Sequence, residues 1–149
     1  MGLRTAIEQD IVAALAPLQE LGVFVVDCPE ESRKSGEVFD VGQVSVGFTG
    51  ETAEAPLSLP VHGTPLIQPF SMSFEVHLEL QDDNHRKAAN LIDQVEELVN
   101  GLIPTGQDKP LYFIRSGFLQ LDSESIWHYA VIFGFQVVKK SHLKEAVNA

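Results

Sequence analysis

Residues 70–80 read FSMSFEVHLEL. Phe70, Met72, Phe74, Val76, Leu78 and Leu80 alternate strictly with Ser71, Ser73, Glu75, His77 and Glu79. Successive side chains of a strand point to opposite faces, so the pattern predicts a strand with one apolar and one polar face. Such a strand fits an antiparallel sheet that is covered on one side. Downstream, Gln81-Asp82-Asp83-Asn84 offers several helix N-caps. Ala88, Leu91, Ile92, Val95, Leu98, Val99 and Leu102 then form one helical stripe, closed by Gly101 and Pro104.

Upstream, Ile7, Ile11, Ala14, Leu15, Leu18 and Leu21 predict an amphipathic helix from about Thr5 to Leu21. Pro17 is expected to kink it or end it early, and Gly22 to terminate it. Val23 to Val26 reads as a short strand. Val38 to Thr49 reads as another, with a bulge near Gly42. Gly50 to Pro69 carries four prolines and reads as a long irregular loop, the first place to look for a partner. Leu111 to Leu121 and Ile126 to Val138 form a hairpin about Asp122-Ser123-Glu124-Ser125, followed by a polar tail from Lys139. This order predicts the α+β class: one two-layer domain over residues 1–149, with a mostly antiparallel sheet of about five strands and two helices packed on one face. The other sheet face is left either wet or covered by another subunit.

The composition is 44% hydrophobic and 21% charged, as in soluble globular proteins. No apolar run reaches the ~20 residues of a membrane helix, and the N-terminus lacks the pattern of a secretory signal. A lone cysteine, Cys28, excludes an intrachain disulfide and points to a reducing compartment. Ten Lys and Arg against 21 Asp and Glu give a formal charge of −11. That surface repels polyanions, so sequence-specific nucleic-acid binding is not expected.

No nucleophile elbow, P-loop, dinucleotide fingerprint, C-x-x-C or H-E-x-x-H motif is present in the sequence. Glu75, His77 and Glu79 share one strand face, with neighbours roughly 6.5–7 Å apart. They can hold a divalent metal or relay a proton; equally, they are the solvated or partner-facing side of an amphipathic strand. Acidic neighbours of Cys28 disfavour a reactive thiolate. His62, His85, His128 and His142 stand singly. Arg115, in an apolar run, either faces the polar side of the sheet or pairs with a carboxylate across a subunit boundary. Trp127, Tyr129, Phe133 and Phe135 alternate and read as core. The opposite face of that strand (His128, Ala130, Ile132, Gly134, Gln136, Val138) is mixed and reads as an interface.

Taken together, IEQDIVAALAPLQELGVFVV, the charged loop after it, FSMSFEVHLEL, the helix NHRKAANLIDQVEELVNGL and the terminal hairpin resemble small tail-completion proteins of long-tailed bacteriophages. The family is that of the tail terminators, which includes the minor tail protein U of phage lambda and relatives in Mu-like phages. The resemblance runs from about Ile7 to Val138 in element order and local flavour, without a diagnostic short motif. It implies an α+β protomer in a homo-hexameric ring at the tail–neck junction of a virion, assembled in the host cytoplasm. The ring caps the tail tube, stops tube or sheath polymerisation and docks head-completion proteins.

The resemblance carries no catalytic residue, cofactor or metal, and no membrane partner; DNA passes through the ring lumen. On this reading Glu75, His77, Glu79 and Arg115 are candidates for an intersubunit or lumenal surface. Arg33 and Lys34 are candidates for contact with an acidic neighbour. The alternatives are an oligomeric binding module that uses the 50–69 loop as a lid, and a small metal-dependent enzyme built on Glu75, His77 and Glu79.

Overall fold

A computed structural model of the protein describes residues 2–26, 42–57, 64–81, 86–144 and 146. The expectations for Cys28, Arg33, Lys34, His62, the N-caps at 82–84 and His85 lie outside the described residues. Helix α1 spans Leu3–Ala14, and a separate 3-10 helix follows over Ala16–Leu21. Of the two outcomes expected at Pro17, a kink or an early end, the early end is the one observed, and the stretch to Leu21 is two elements. Pro17 has no N–H to give to a continuing α-helix, but in the first turn of a new helix that donor is not needed. Gly22, at φ 82°, stops the 3-10 helix in the left-handed region and turns the chain into a strand.

Five strands form one sheet in the order β1-β2-β3-β5-β4. They are β1 Val23–Val26, β2 Gly42–Ala53, β3 Leu66–Gln81, β4 Tyr112–Leu121 and β5 Ile126–Ser141. Strand β1 adds to β2 in parallel, and β2, β3, β5 and β4 pair antiparallel. Helix α2, Ala88–Val99, and α1 pack on the same face, as the sequence predicted. Met72, Phe74, Val76, Leu78 and Leu80 of β3 meet Ile7 and Ile11 of α1 and Leu91, Val95 and Val99 of α2 in one buried cluster. Val131, Phe133 and Phe135 of β5 complete it, and Phe74 meets Phe48 edge to face at 5.7 Å.

Two expectations change. Strand β2 runs to Ala53 and β3 starts at Leu66, so the irregular stretch between them is shorter than 50–69. Pro69 concealed the strand because it interrupts the donor pattern, yet its carbonyl accepts from the Glu54 N–H at 2.9 Å. The described part of β2 has its bulge between Phe48 and Gly50; residues 38–41, the start of the strand expected from Val38, lie outside the described residues. Strand β5 continues through Lys139 and Lys140, which pair with Gln68 and Ile67 of β3, so the expected polar tail is partly strand.

Glu51 ties three elements together. Arg4 of α1 donates to its Oε1 at 2.7 Å, and Lys139 of β5 donates to the same oxygen at 3.2 Å. Arg4 also lies over the Phe48 ring, 5.1 Å from its centroid. Partial burial works to raise the Glu51 carboxyl, but the hydrogen bonds and charges of Lys139 and Arg4 outweigh it and hold the group below its ordinary range.

Two outcomes follow. Phe74→Ala removes a fully buried ring and lowers unfolding stability by about 3–5 kcal/mol, read from urea denaturation. Glu51→Gln is less stable than wild type at neutral pH. Because the folded carboxyl titrates below the unfolded one, the wild-type advantage is complete above the unfolded value and vanishes as pH falls through the folded value. Paired melts at about pH 7 and about pH 3 check this: the gap narrows in acid.

Candidate functional site

The β3 side chains that alternate with the core residues stand on the face away from the helices. Glu75, His77 and Glu79 all lie there, as the alternation predicts. Strand β5 places Ile132 opposite Glu75, Ala130 opposite His77 and His128 opposite Glu79. His128 is thereby brought into a cluster that the sequence did not reveal. Its Nδ1 lies 2.8 Å from Nε2 of His77, and its own Nε2 lies 2.8 Å from Oδ2 of Asp122. At the other end, Nδ1 of His77 lies 3.3 Å from Oε2 of Glu75. The result is a continuous polar chain, Glu75–His77–His128–Asp122, crossing from β3 through β5 to the hairpin loop.

Burial separates this chain from an ordinary wet strand face. Glu79 is 7% exposed, His128 9%, and Gln43, the β2 partner of Glu79 in register, 3%. The mixed face of β5 is likewise covered at Ala130 and Ile132, whereas Gln136 and Val138 remain open. Gly134 is covered because the Tyr112 ring of β4 lies across it: a Cβ at Gly134 would stand 2.5 Å from Cζ of that ring. The interface expected of this face is thus partly occupied by the chain's own side chains.

Asp122 belongs to two structures at once. Its Oδ1 accepts from the backbone N–H groups of Glu124 at 2.8 Å and Ile126 at 3.0 Å, closing the β4–β5 turn. Ser125 adopts φ 63° within that turn. Partial burial works to raise the Asp122 carboxyl, but the bonds from His128, Ile126 and Glu124 prevail and hold it low. The signal for Asp122 and His128 was present as an Asp before a turn and a His opposite the aromatic face. Their meeting with His77 required the β3–β5 register, which local patterning does not encode.

A second feature is the edge strand β4. Tyr112, Phe113, Ile114, Phe118, Leu119 and Leu121 are between 37% and 53% exposed. Bulges at Ile114 and Leu119 interrupt its pairing with β5. Phe118 packs on Trp127 and Tyr129, with ring centroids 5.6 Å apart in each case, extending the aromatic surface outward from the core. Arg115 stands opposite Ile132, in the same cross-strand row as Glu75 and on the same face, and is exposed. It makes no ion pair among the described residues.

Two open depressions, of about 280 Å³ beside Gln107, Lys109 and Gln136 and about 330 Å³ beside Asp93, Glu96 and Glu97, are lined without a nucleophile next to a base. No helix among the described residues is long and apolar enough to cross a membrane.

No family model and no curated protein matches the sequence. Among solved structures, the fold is similar to that of a chain in the virion of a native gene transfer agent particle. The two superpose with a TM-score of 0.59 at 14% identity, over 92% of this chain and 95% of the other. A second solved chain aligns over 96% of both chains at 14% identity with a TM-score of 0.44. At such identity the likeness is one of fold.

Asp122→Ala removes the turn acceptor and the His128 partner together. It lowers unfolding stability by about 1–3 kcal/mol in urea denaturation, a loss that Ser123→Ala in the same loop does not reproduce.

Proposed function

We propose that the chain is a structural virion subunit of the tail-terminator kind. Copies close into a hexameric ring that caps the tail tube, ends polymerisation of tube or sheath, and presents a docking surface for head-completion proteins at the tail–neck junction. The observation that carries this reading is β4: an outer strand with six large apolar side chains in solvent. A surface of that kind on a single chain marks a protein contact. Its two bulges break the ladder, so the contact is made by side chains rather than by endless strand-to-strand addition. That suits a closed ring, whose heterologous interface must be used once per subunit.

The shared fold supports the same reading, because the gene transfer agent chain belongs to a virion and the likeness runs through nearly all of both chains. The sequence resemblance to tail terminators supplies the finer role. The formal charge of −11 suits an assembly through which DNA passes without sticking. The reading assigns no catalytic role, no membrane partner and no sequence-specific nucleic-acid contact.

Ile114→Lys and Leu119→Lys place charge on exposed bulge positions and leave the core untouched. Wild type is expected to form rings, alone at high concentration or when tail tubes are added, seen by light scattering and negative stain. The double variant stays folded by circular dichroism and remains monomeric. A wild-type chain that stays monomeric at every concentration and ignores tail tubes overturns the assignment.

A further inference from the structure

We propose that His77, His128 and Glu79 form a binding site for a divalent transition-metal ion of the zinc class. The inference does not depend on the ring. It starts from the geometry of the polar chain. With Nδ1 of His77 turned to Glu75 and Nε2 of His128 turned to Asp122, Nε2 of His77 and Nδ1 of His128 face each other at 2.8 Å. Either a proton bridges the two nitrogens in an N–H···N hydrogen bond, or a metal ion takes its place between the rings.

Three observations favour the metal. First, the histidines converge with the Glu79 carboxylate: one ligand atom from each of His77, His128 and Glu79 lies within 4.8 Å of the others. Zinc–nitrogen bonds of about 2.0–2.1 Å at a tetrahedral angle set ligand atoms about 3.3 Å apart. The imidazoles need to part by about half an ångström, and the carboxylate to swing inward, to meet that geometry. Second, each imidazole is held from behind by its own carboxylate, Glu75 for His77 and Asp122 for His128. Metal-bound histidines are oriented by this carboxylate–imidazole arrangement, and an amphipathic strand has no need of it. Third, Gln43, in register with Glu79, keeps a buried Nε2 donor with no partner among the described residues, which a water bound at the metal's open position can satisfy by accepting from it.

Two imidazoles and one carboxylate suit zinc, cobalt, nickel or copper, not magnesium, which prefers oxygen ligands in an octahedron. Three protein ligands leave a fourth position for water or a group from a neighbour. Glu75 and Asp122 are positioning residues, since they act through the histidines.

The test uses the full chain after chelator stripping. Zn2+ is titrated against a chromophoric indicator, and Co2+ is added to read its visible absorption. The expected result is uptake of one Zn2+ per chain, a Co2+ band of tetrahedral intensity, and indifference to excess Mg2+. His77→Ala is the principal variant because His77 is more exposed than His128. It abolishes the uptake and the band while circular dichroism is unchanged. Glu75→Gln weakens Zn2+ binding by about 10–100-fold and keeps the Co2+ band at saturation, as a positioning role requires. Wild type that takes up no Zn2+, or uptake that survives His77→Ala, overturns the site and leaves an N–H···N hydrogen bond between the two rings.

Discussion

Strand β3 is bonded on both edges, to β2 and to β5, and faces two environments of opposite chemistry. Its alternation is the constraint on which the rest depends. A slip of one residue against either neighbour would turn Phe74 and Val76 to the polar side and drive Glu75 and His77 under the helices. The apolar core therefore fixes the register, and the same register places His128 beside His77. The polar cluster is a by-product of where Phe74 has to be, and it runs from β3 across β5 to the β4–β5 turn.

The helices cannot extend this protection across the whole sheet. Helix α1 packs on β2 and α2 on β5 with a lesser contact to β4. Beyond them, β4 carries its aromatic and aliphatic residues in the open. An outer strand of that composition is an aggregation hazard unless something limits its pairing. The bulges at Ile114 and Leu119 provide the limit by breaking the ladder, while keeping the apolar side chains available. Exposed apolar surface and protection against uncontrolled pairing are written into the same ten residues.

Much of the frame was legible from periodicity, because a strand or helix that buries one face must write that face into its sequence. FSMSFEVHLEL, the α2 stripe and Gly22 all speak in this way. Legibility failed where a single residue masks the period. Pro69 and the neighbouring prolines hid the last residues of β2 and the first of β3, and Pro17 marked the end of the α-helix without revealing that a 3-10 helix follows it. It failed again where exposure is decided by distant elements. Leu111 to Leu121 reads as an ordinary apolar strand, and only the positions of the helices reveal that β4 lies outside them. Of the site, Glu75, His77 and Glu79 were placed on one face by alternation alone. His128 and Asp122 were not, since 51 residues separate His77 from His128 and only the sheet joins them.

The cluster and the edge strand are mechanically connected. The His77–His128 contact crosses from β3 to β5, and the His128–Asp122 contact carries the link into the turn from which β4 departs. At the other end of the hairpin, Tyr112 lies across Gly134, and Asn100 at the end of α2 accepts from the Phe113 N–H at 3.0 Å. Strand β4 is thus pinned at both ends although its faces are bare. A surface held in place before it meets a partner loses less conformational entropy on binding than one that must be ordered. The polar chain on the back of the sheet therefore has a consequence at the edge: it anchors the turn at one end of an exposed hydrophobic strand. In a subunit that assembles, a rigid strand restricts which contacts form, because a stiff bulged edge accepts only a surface shaped to fit it.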